Sequence, residues 1–195
     1  MSEARDRWLD EGIRVLAEQG AAGVRIDPIA ARLGLSKGSF HHHFQGAEGY
    51  KRDLLGYYER LSIDALDRAI AEAERGDART VLGRLTELIE PGAAGLYRPE
   101  LEVAVRAWAS SDAQVQAVQA RIDAARIDAL ARVWRPYVGT EDAARQAALL
   151  PYLLAVGASV MAPPVGADEL RALLGLILPL VPDAGPAVGE ERSEP

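Results

Sequence analysis

No cysteine occurs in this chain. Disulfide scaffolds, cysteine–zinc sites, iron–sulfur clusters and thiol nucleophiles are therefore excluded. Histidine is nearly as scarce: there are three, and they are consecutive, His41-His42-His43. A dispersed histidine metal site or a catalytic triad is excluded with them. No acidic pair, nucleotide-binding loop or Ser/His/Asp arrangement stands out, so neither an enzyme nor a cofactor is expected. Lysine is almost missing, with 2 against 20 arginines. Sustained period-2 alternation of β-branched residues is absent, which leaves no clear strand. The opening MSEARDRWLDE is charged and has no apolar stretch of the kind a signal peptide needs.

What is present suits one large domain or two small ones: 195 residues, 49% of them hydrophobic and only 26% charged. That composition rules out global disorder. The net charge of −7 is unevenly spread. Residues 1–52 hold eight Lys/Arg and seven Asp/Glu, and the rest holds 14 and 22, so the first segment carries +1 and the remainder −8. Such asymmetry suggests two jobs. Residues Gln146–Ala167 carry no charge, which makes them a candidate membrane span. They also contain Pro151, Pro163 and Pro164 and read better as a buried helix and its exit loop. A cytoplasmic protein with no membrane partner is expected.

Apolar spacing of three and four runs through the chain, so the fold class is all-α with about nine helices. A first helix is expected over Glu3–Gln19. Asp27-Pro28 reads as a carboxylate cap followed by proline at the first helical position of a second, short helix. Gly34 supplies the left-handed residue that ends it. Ser36 caps a third short helix running to about Phe44. A long fourth helix covers about 47–75, and a fifth starts at Gly76-Asp77. Pro91–Gly95 reads as a loop. Asp112 and Thr140 cap two later helices, and Asp168 is expected to cap the last, over Glu169–Leu180. The tail Pro182–Pro195, rich in proline, glycine and acid, is expected to be disordered.

Two short helices about Gly34, packed on a longer first helix, fit a helix-turn-helix. Short helices do not hold themselves up. These need Leu33, Leu35, Phe40 and Phe44 to join a small core with Trp8, Ile13 and Ile29. Ser36, Lys37, Ser39, His41, His42 and His43 are then left facing outward. Lys37 offers a phosphate contact, Gly38 a close backbone approach and Ser39 a reach to a base edge. On spacing alone the same turn also fits a bundle with no role on DNA. A metal site on the histidine triplet is disfavoured, because successive helical residues point about 100° apart.

The segment RIDPIAARLGLSKGSFHHHF, Arg25–Phe44, resembles the N-terminal DNA-binding domain of the TetR/AcrR family of transcriptional repressors. Ile29-Ala30, the Gly34 turn, Ser36-Lys37-Gly38-Ser39 and the closing His43-Phe44 carry the likeness, which extends over about residues 4–55. It implies DNA roles for Ser36, Lys37, Gly38, Ser39, His42 and His43, with His41 and Arg25 as further contacts. It also implies a homodimer, a pseudo-palindromic double-stranded operator and a small-molecule effector that releases it. Two positions depart from the pattern. His41 stands where a tyrosine that touches the DNA backbone is usual, and Ala47 stands where a lysine is common; Lys51 and Arg52 are candidates to replace that lysine.

The domains are expected at 1–46 for DNA binding and 47–181 for ligand binding and dimerisation, with 47 opening the helix that links them. Leu149–Met161 and Leu170–Val181 are apolar nearly all round, so surplus surface is expected to be covered by a second subunit. Leu149, Leu153, Val156, Leu170, Leu174 and Ile177 are the candidate interface. Tyr97, Trp108 and Tyr152 are the candidate effector contacts, with Arg106 or Arg126 for an anionic ligand. A different class of function, a small-molecule-binding helical protein with a lapsed DNA head, draws on His41 and Ala47 alone.

Overall fold

The computed structural model describes residues 3–73, 78–89 and 97–181, and among them every regular element is helical. In chain order these are α1 (Glu3–Gln19), α2 (Ile26–Leu33), α3 (Lys37–His43), α4 (Gly46–Ala73), α5 (Ala78–Glu87), α6 (Pro99–Ala109), α7 (Ala113–Trp134), α8 (Glu141–Val160) and α9 (Ala167–Ile177). Single 3-10 turns occupy Ala21–Gly23, Arg135–Tyr137 and Leu178–Leu180. The expected loop Pro91–Gly95, the Gly76-Asp77 helix start and the tail Pro182–Pro195 lie outside the described residues.

Several helix ends follow the capping chemistry of the sequence. The Ser36 hydroxyl accepts the Ser39 amide at 3.2 Å. One Asp112 oxygen accepts the amides of Gln114 and Val115 at 3.0 and 3.2 Å, and the Thr140 hydroxyl accepts that of Ala143 at 3.1 Å. These bonds satisfy amides that a helix leaves without partners in its first turn. Two starts differ from the expectation. Helix α2 begins at Ile26 with Arg25 before it, so Asp27 and Pro28 lie inside the first turn. Proline is tolerated there because those amides have no intrahelical acceptor. Helix α9 begins at Ala167 after Gly166, which puts Asp168 in the first turn, where its carboxylate meets Arg171. In both cases the acid favours the positive helix end without capping it.

Two compact units divide the chain. The first comprises Met1–Ala65, Arg98–Ala125 and Ser159–Pro164. Its core joins Trp8, Leu9, Leu16, Ile29 and Phe40 to Leu54, Leu55 and Tyr58 of α4, Val105 of α6 and Val115 and Ile122 of α7, all fully or almost fully buried. Leu33 and Leu35 pack against it from the turn between the short helices. Trp8 and Phe40 meet edge to face at 5.2 Å, and Phe44 and Tyr50 at 4.9 Å. The Tyr50 hydroxyl donates to the Trp8 carbonyl at 2.7 Å. Only glycine fits at position 12 beneath it: a Cβ there would overlap the Tyr50 hydroxyl and a Leu54 methyl.

The second unit comprises Leu66–Tyr97, Arg126–Ala158 and Val165–Pro195. One apolar cluster joins Ile70, Val81 and Leu85 to Leu130, Val133, Trp134 and Tyr152, and another joins Ile89 and Tyr97 to Ala158, Leu170 and Leu174. Helix α8 is long and apolar enough, by length and composition, to cross a membrane. It runs unbroken through Pro151. Its inward side is Ala144, Ala148, Tyr152 and Ala158, and its outward side shows Leu150 and Leu153. Helix α9 buries Leu170 and Leu174 and turns Leu173 and Leu176 outward.

Candidate nucleic-acid interface

The turn that sets α3 on α2 is a helix terminus closed by Gly34, whose φ of 64° is the left-handed conformation that glycine adopts without strain. The Gly34 amide donates to the Ala31 carbonyl at 3.3 Å and the Leu35 amide to the Ala30 carbonyl at 3.0 Å. These are the two bonds of a Schellman motif. The Arg7 guanidinium adds a bond to the Leu33 carbonyl at 3.2 Å. Arg32 reaches from α2 to Glu11 at 3.1 Å and Glu18 at 2.7 Å on α1, and the hydrogen bond from Arg32 holds the Glu18 carboxyl below its usual range. The turn is thus fixed by backbone geometry, and the helix before it is tied to α1 by charge.

Helix α3 then sorts its residues by angle. Phe40 and the following Phe44 are buried. At 100° per residue the opposite side is centred on Gly38 and His42, with His41 and Ser39 on its shoulders. Ser36, Lys37, Gly38, His41 and His42 are exposed, and Ser39 and His43 are half-buried. Gly38, His41, His42 and, half-buried, Ser39 thus share the outward surface, whereas Lys37 and His43 lie about 60° to either side of Phe40. Arg25, exposed at the entry to α2, completes the set. The His42 and His43 rings stand 5.0 Å apart, and no group of three histidine, aspartate or glutamate side chains able to hold a metal occurs among the described residues.

Two cations are placed differently from what their sequence positions suggested. Lys37 binds the Asp27 carboxylate at 2.9 Å, with both side chains about two-thirds exposed. Lys51 binds Asp112 at 2.5 Å and sits 5.7 Å from the centre of the Trp108 ring. The bond from Lys51, aided by the Val115 amide, draws the Asp112 carboxyl below its ordinary range. Of the two candidates to replace the lysine missing at Ala47, Lys51 is engaged by Asp112 and Arg52 is exposed. Sequence spacing showed neither pairing, since neither lies within one helix: the residues are ten apart for Lys37–Asp27 and 61 for Lys51–Asp112.

The three aromatic effector candidates belong to three different apolar clusters. Trp108 is half-buried and lines a surface hollow of about 390 Å³ with Arg25, Asp27, Ala47, Glu48 and Lys51. Tyr97 and Tyr152 are buried in apolar packing, and the Tyr97 hydroxyl donates to the Val165 carbonyl at 2.8 Å. Arg106 is committed to Glu102 and Asp123. Of the six interface candidates, Leu153 is 59% exposed, and Leu149, Val156 and Ile177 are half-buried. Leu170 and Leu174 are only 0% and 6% exposed, because they lie on the inward stripe of α9. Leu173 and Leu176 of α9 also turn outward, at 37% and 72% exposed; on the helical wheel Leu176 lies about 140° from the middle of the Leu170–Leu174 stripe and Leu173 about 80° to its side.

Residues 9–55 match the model of the family described as bacterial regulatory proteins, tetR family. The uncharacterized HTH-type transcriptional regulator YerO of Bacillus subtilis is 33% identical over 66 residues. That match takes in 34% of this chain and 23% of YerO, so the chain meets about a quarter of that relative's length. A candidate transcriptional regulator from Saccharomonospora viridis, solved in complex with choline, is 26% identical, with a TM-score of 0.68 over 92% of this chain and 97% of that one. A TetR-family transcriptional regulator from Streptomyces coelicolor gives 0.70 at 18% identity over 93% and 91%. NemR of E. coli, in its reduced form, gives 0.72 at 17% identity over 92% and 97%. The last two likenesses establish the fold alone.

Proposed function

We propose that this chain is a member of the TetR family of bacterial regulatory proteins, whose model its residues 9–55 match, and that it is no enzyme but a cytoplasmic, homodimeric repressor that leaves a pseudo-palindromic operator when a small molecule binds. The observation that carries the DNA role is the exposed polar face of α3, presented on a turn closed by Gly34 and held from behind by Phe40 and Phe44. Each subunit lays this face in a major groove. Lys37, Arg25 and His41 meet phosphates, Gly38 lets the backbone come close, and Ser36, Ser39, His42 and His43 lie along the groove. Half-site spacing follows from the separation of the two heads, so a ligand that binds better to another separation releases the operator. The choline complex of the Saccharomonospora relative makes small cations a reasonable first screen, with Tyr97, Trp108 and Tyr152 as the positions to probe.

A gel shift with the DNA upstream of the protein's own gene tests the reading. Saturable binding is expected. Lys37→Met should weaken binding to all sequences alike and lower the slope of log affinity against log salt by about 1 per contact, or about 2 for a symmetric dimer. Ser39→Ala should instead relax discrimination at one operator position by about 1–3 kcal/mol per half-site. Absence of saturable binding at low salt would leave the alternative, a small-molecule-binding protein with a lapsed head, for which Ala47 and the engaged Lys51 speak.

A further inference from the structure

The first 52 residues contain eight lysines and arginines, and most already have partners in the folded chain. Arg5 pairs with Asp53, Arg14 with Glu11, Arg32 with Glu11 and Glu18, Lys37 with Asp27, and Lys51 with Asp112. Arg7 is bonded to a carbonyl. Among these pairs, Lys37–Asp27 is the one that lies on the surface assigned to DNA. It joins the first residue of α3 to the first turn of α2, across the turn, with the ammonium and the carboxylate oxygen 2.9 Å apart.

We propose that Asp27 is an affinity-limiting residue of the DNA head: its carboxylate occupies the Lys37 ammonium in the free protein and competes with the DNA phosphate for it. The inference rests on the DNA-binding reading of α3. Lys37 stands at about 0° on the helical wheel, 100° from Gly38, so its long side chain leaves the outward face sideways and falls within reach of Asp27. To touch phosphate it must give up an anion it already holds. The exchange is unfavourable for every DNA sequence equally, because phosphates carry no sequence information. Base contacts by Ser39 are untouched. Asp27 therefore lowers non-specific binding and raises the share of affinity that comes from base reading. An exposed pair of this kind is weak and screened by salt, so its effect is small per head, doubles in a dimer on the logarithmic scale and fades as salt rises.

The test uses the full chain and two probes, a mixed-sequence DNA duplex and the protein's own upstream DNA, titrated at several salt concentrations. Thermal unfolding establishes that each variant is folded. Asp27→Asn is expected to tighten binding to both probes by about two- to fivefold per head at low salt, with a steeper salt slope than the unmodified protein. Lys37→Met is expected to weaken both. In the Lys37→Met background, Asp27→Asn should change affinity by less than about twofold. If Asp27→Asn leaves both probes unchanged while Lys37→Met weakens them, Asp27 does not compete and the inference falls with the DNA reading intact. If Asp27→Asn tightens binding just as much without Lys37, the carboxylate repels phosphate directly and the competition is overturned. If neither substitution alters binding to either probe, the assignment of α3 to DNA fails, and the inference with it.

Discussion

His41 sits on the exposed side of α3 with its ring edge-on to the buried Phe40 at 5.4 Å. A tyrosine in this place, as the family pattern has it, would reach further but would stay neutral. His41→Tyr should keep binding, because a phenol also donates a hydrogen bond and reaches further toward the DNA backbone. Gel shifts at fixed ionic strength, with His42 and His43 intact, measure it. Loss of saturable binding in His41→Tyr would show that the smaller ring is required there.

Among elements, α1 is legible from end to end: its apolar period and the glycine that follows it give Glu3–Gln19, and the structure has the same bounds. The caps at Ser36, Asp112 and Thr140 were legible for the same local reason, because each side chain bonds an amide two or three residues on. Asp27 and Asp168 misled because an acid suits both the cap and the first turn of a helix. Contacts between distant elements left no local sign. Lys51–Asp112 and Glu59–Arg121 join α4 to α7 across 61 and 62 residues. The Arg121 guanidinium contacts Glu59 through two nitrogens, at 2.6 and 2.8 Å. Its hydrogen bond draws the Glu59 carboxyl below its ordinary range, as Lys51 does for Asp112. A carboxyl whose folded value is depressed contributes stability above its unfolded value, and loses it as pH falls through the folded one. The protein should therefore lose melting temperature below about pH 4.5. Arg121→Met should be less stable near pH 7 and lose less than the unmodified protein on going to about pH 3, by thermal unfolding followed by circular dichroism. An equal loss in both would show that Glu59 gains nothing from Arg121.

At the scale of the whole molecule, the sequence marks the last two helices as apolar nearly all round, but not which of their sides faces outward. Leu170 and Leu174 fall within the second unit, and the surplus is Leu150, Leu153, Leu173 and Leu176, between 37% and 72% exposed. Which side of α9 faces inward depends on packing against Ile89, Tyr97 and Ala158, all of which lie outside the helix. Gly157 and Gly175 leave open space beside their backbones. Exposed rows of this kind on two helices suit a self-complementary two-fold contact. Light scattering should give about 42 kDa, twice the 20.9 kDa chain. Leu153→Glu and Leu176→Glu place a charge where the partner would bury it without a counter-ion, at a cost of several kcal/mol. Each should yield a folded monomer with helical content unchanged, whereas Leu174→Asp should unfold the second unit, because that side chain is already inside it. Monomeric variants should also bind the operator far less tightly, since two heads no longer act from one body. A monomer at micromolar concentration for the unmodified chain, or full dimers in both glutamate variants, would place the contact on another surface.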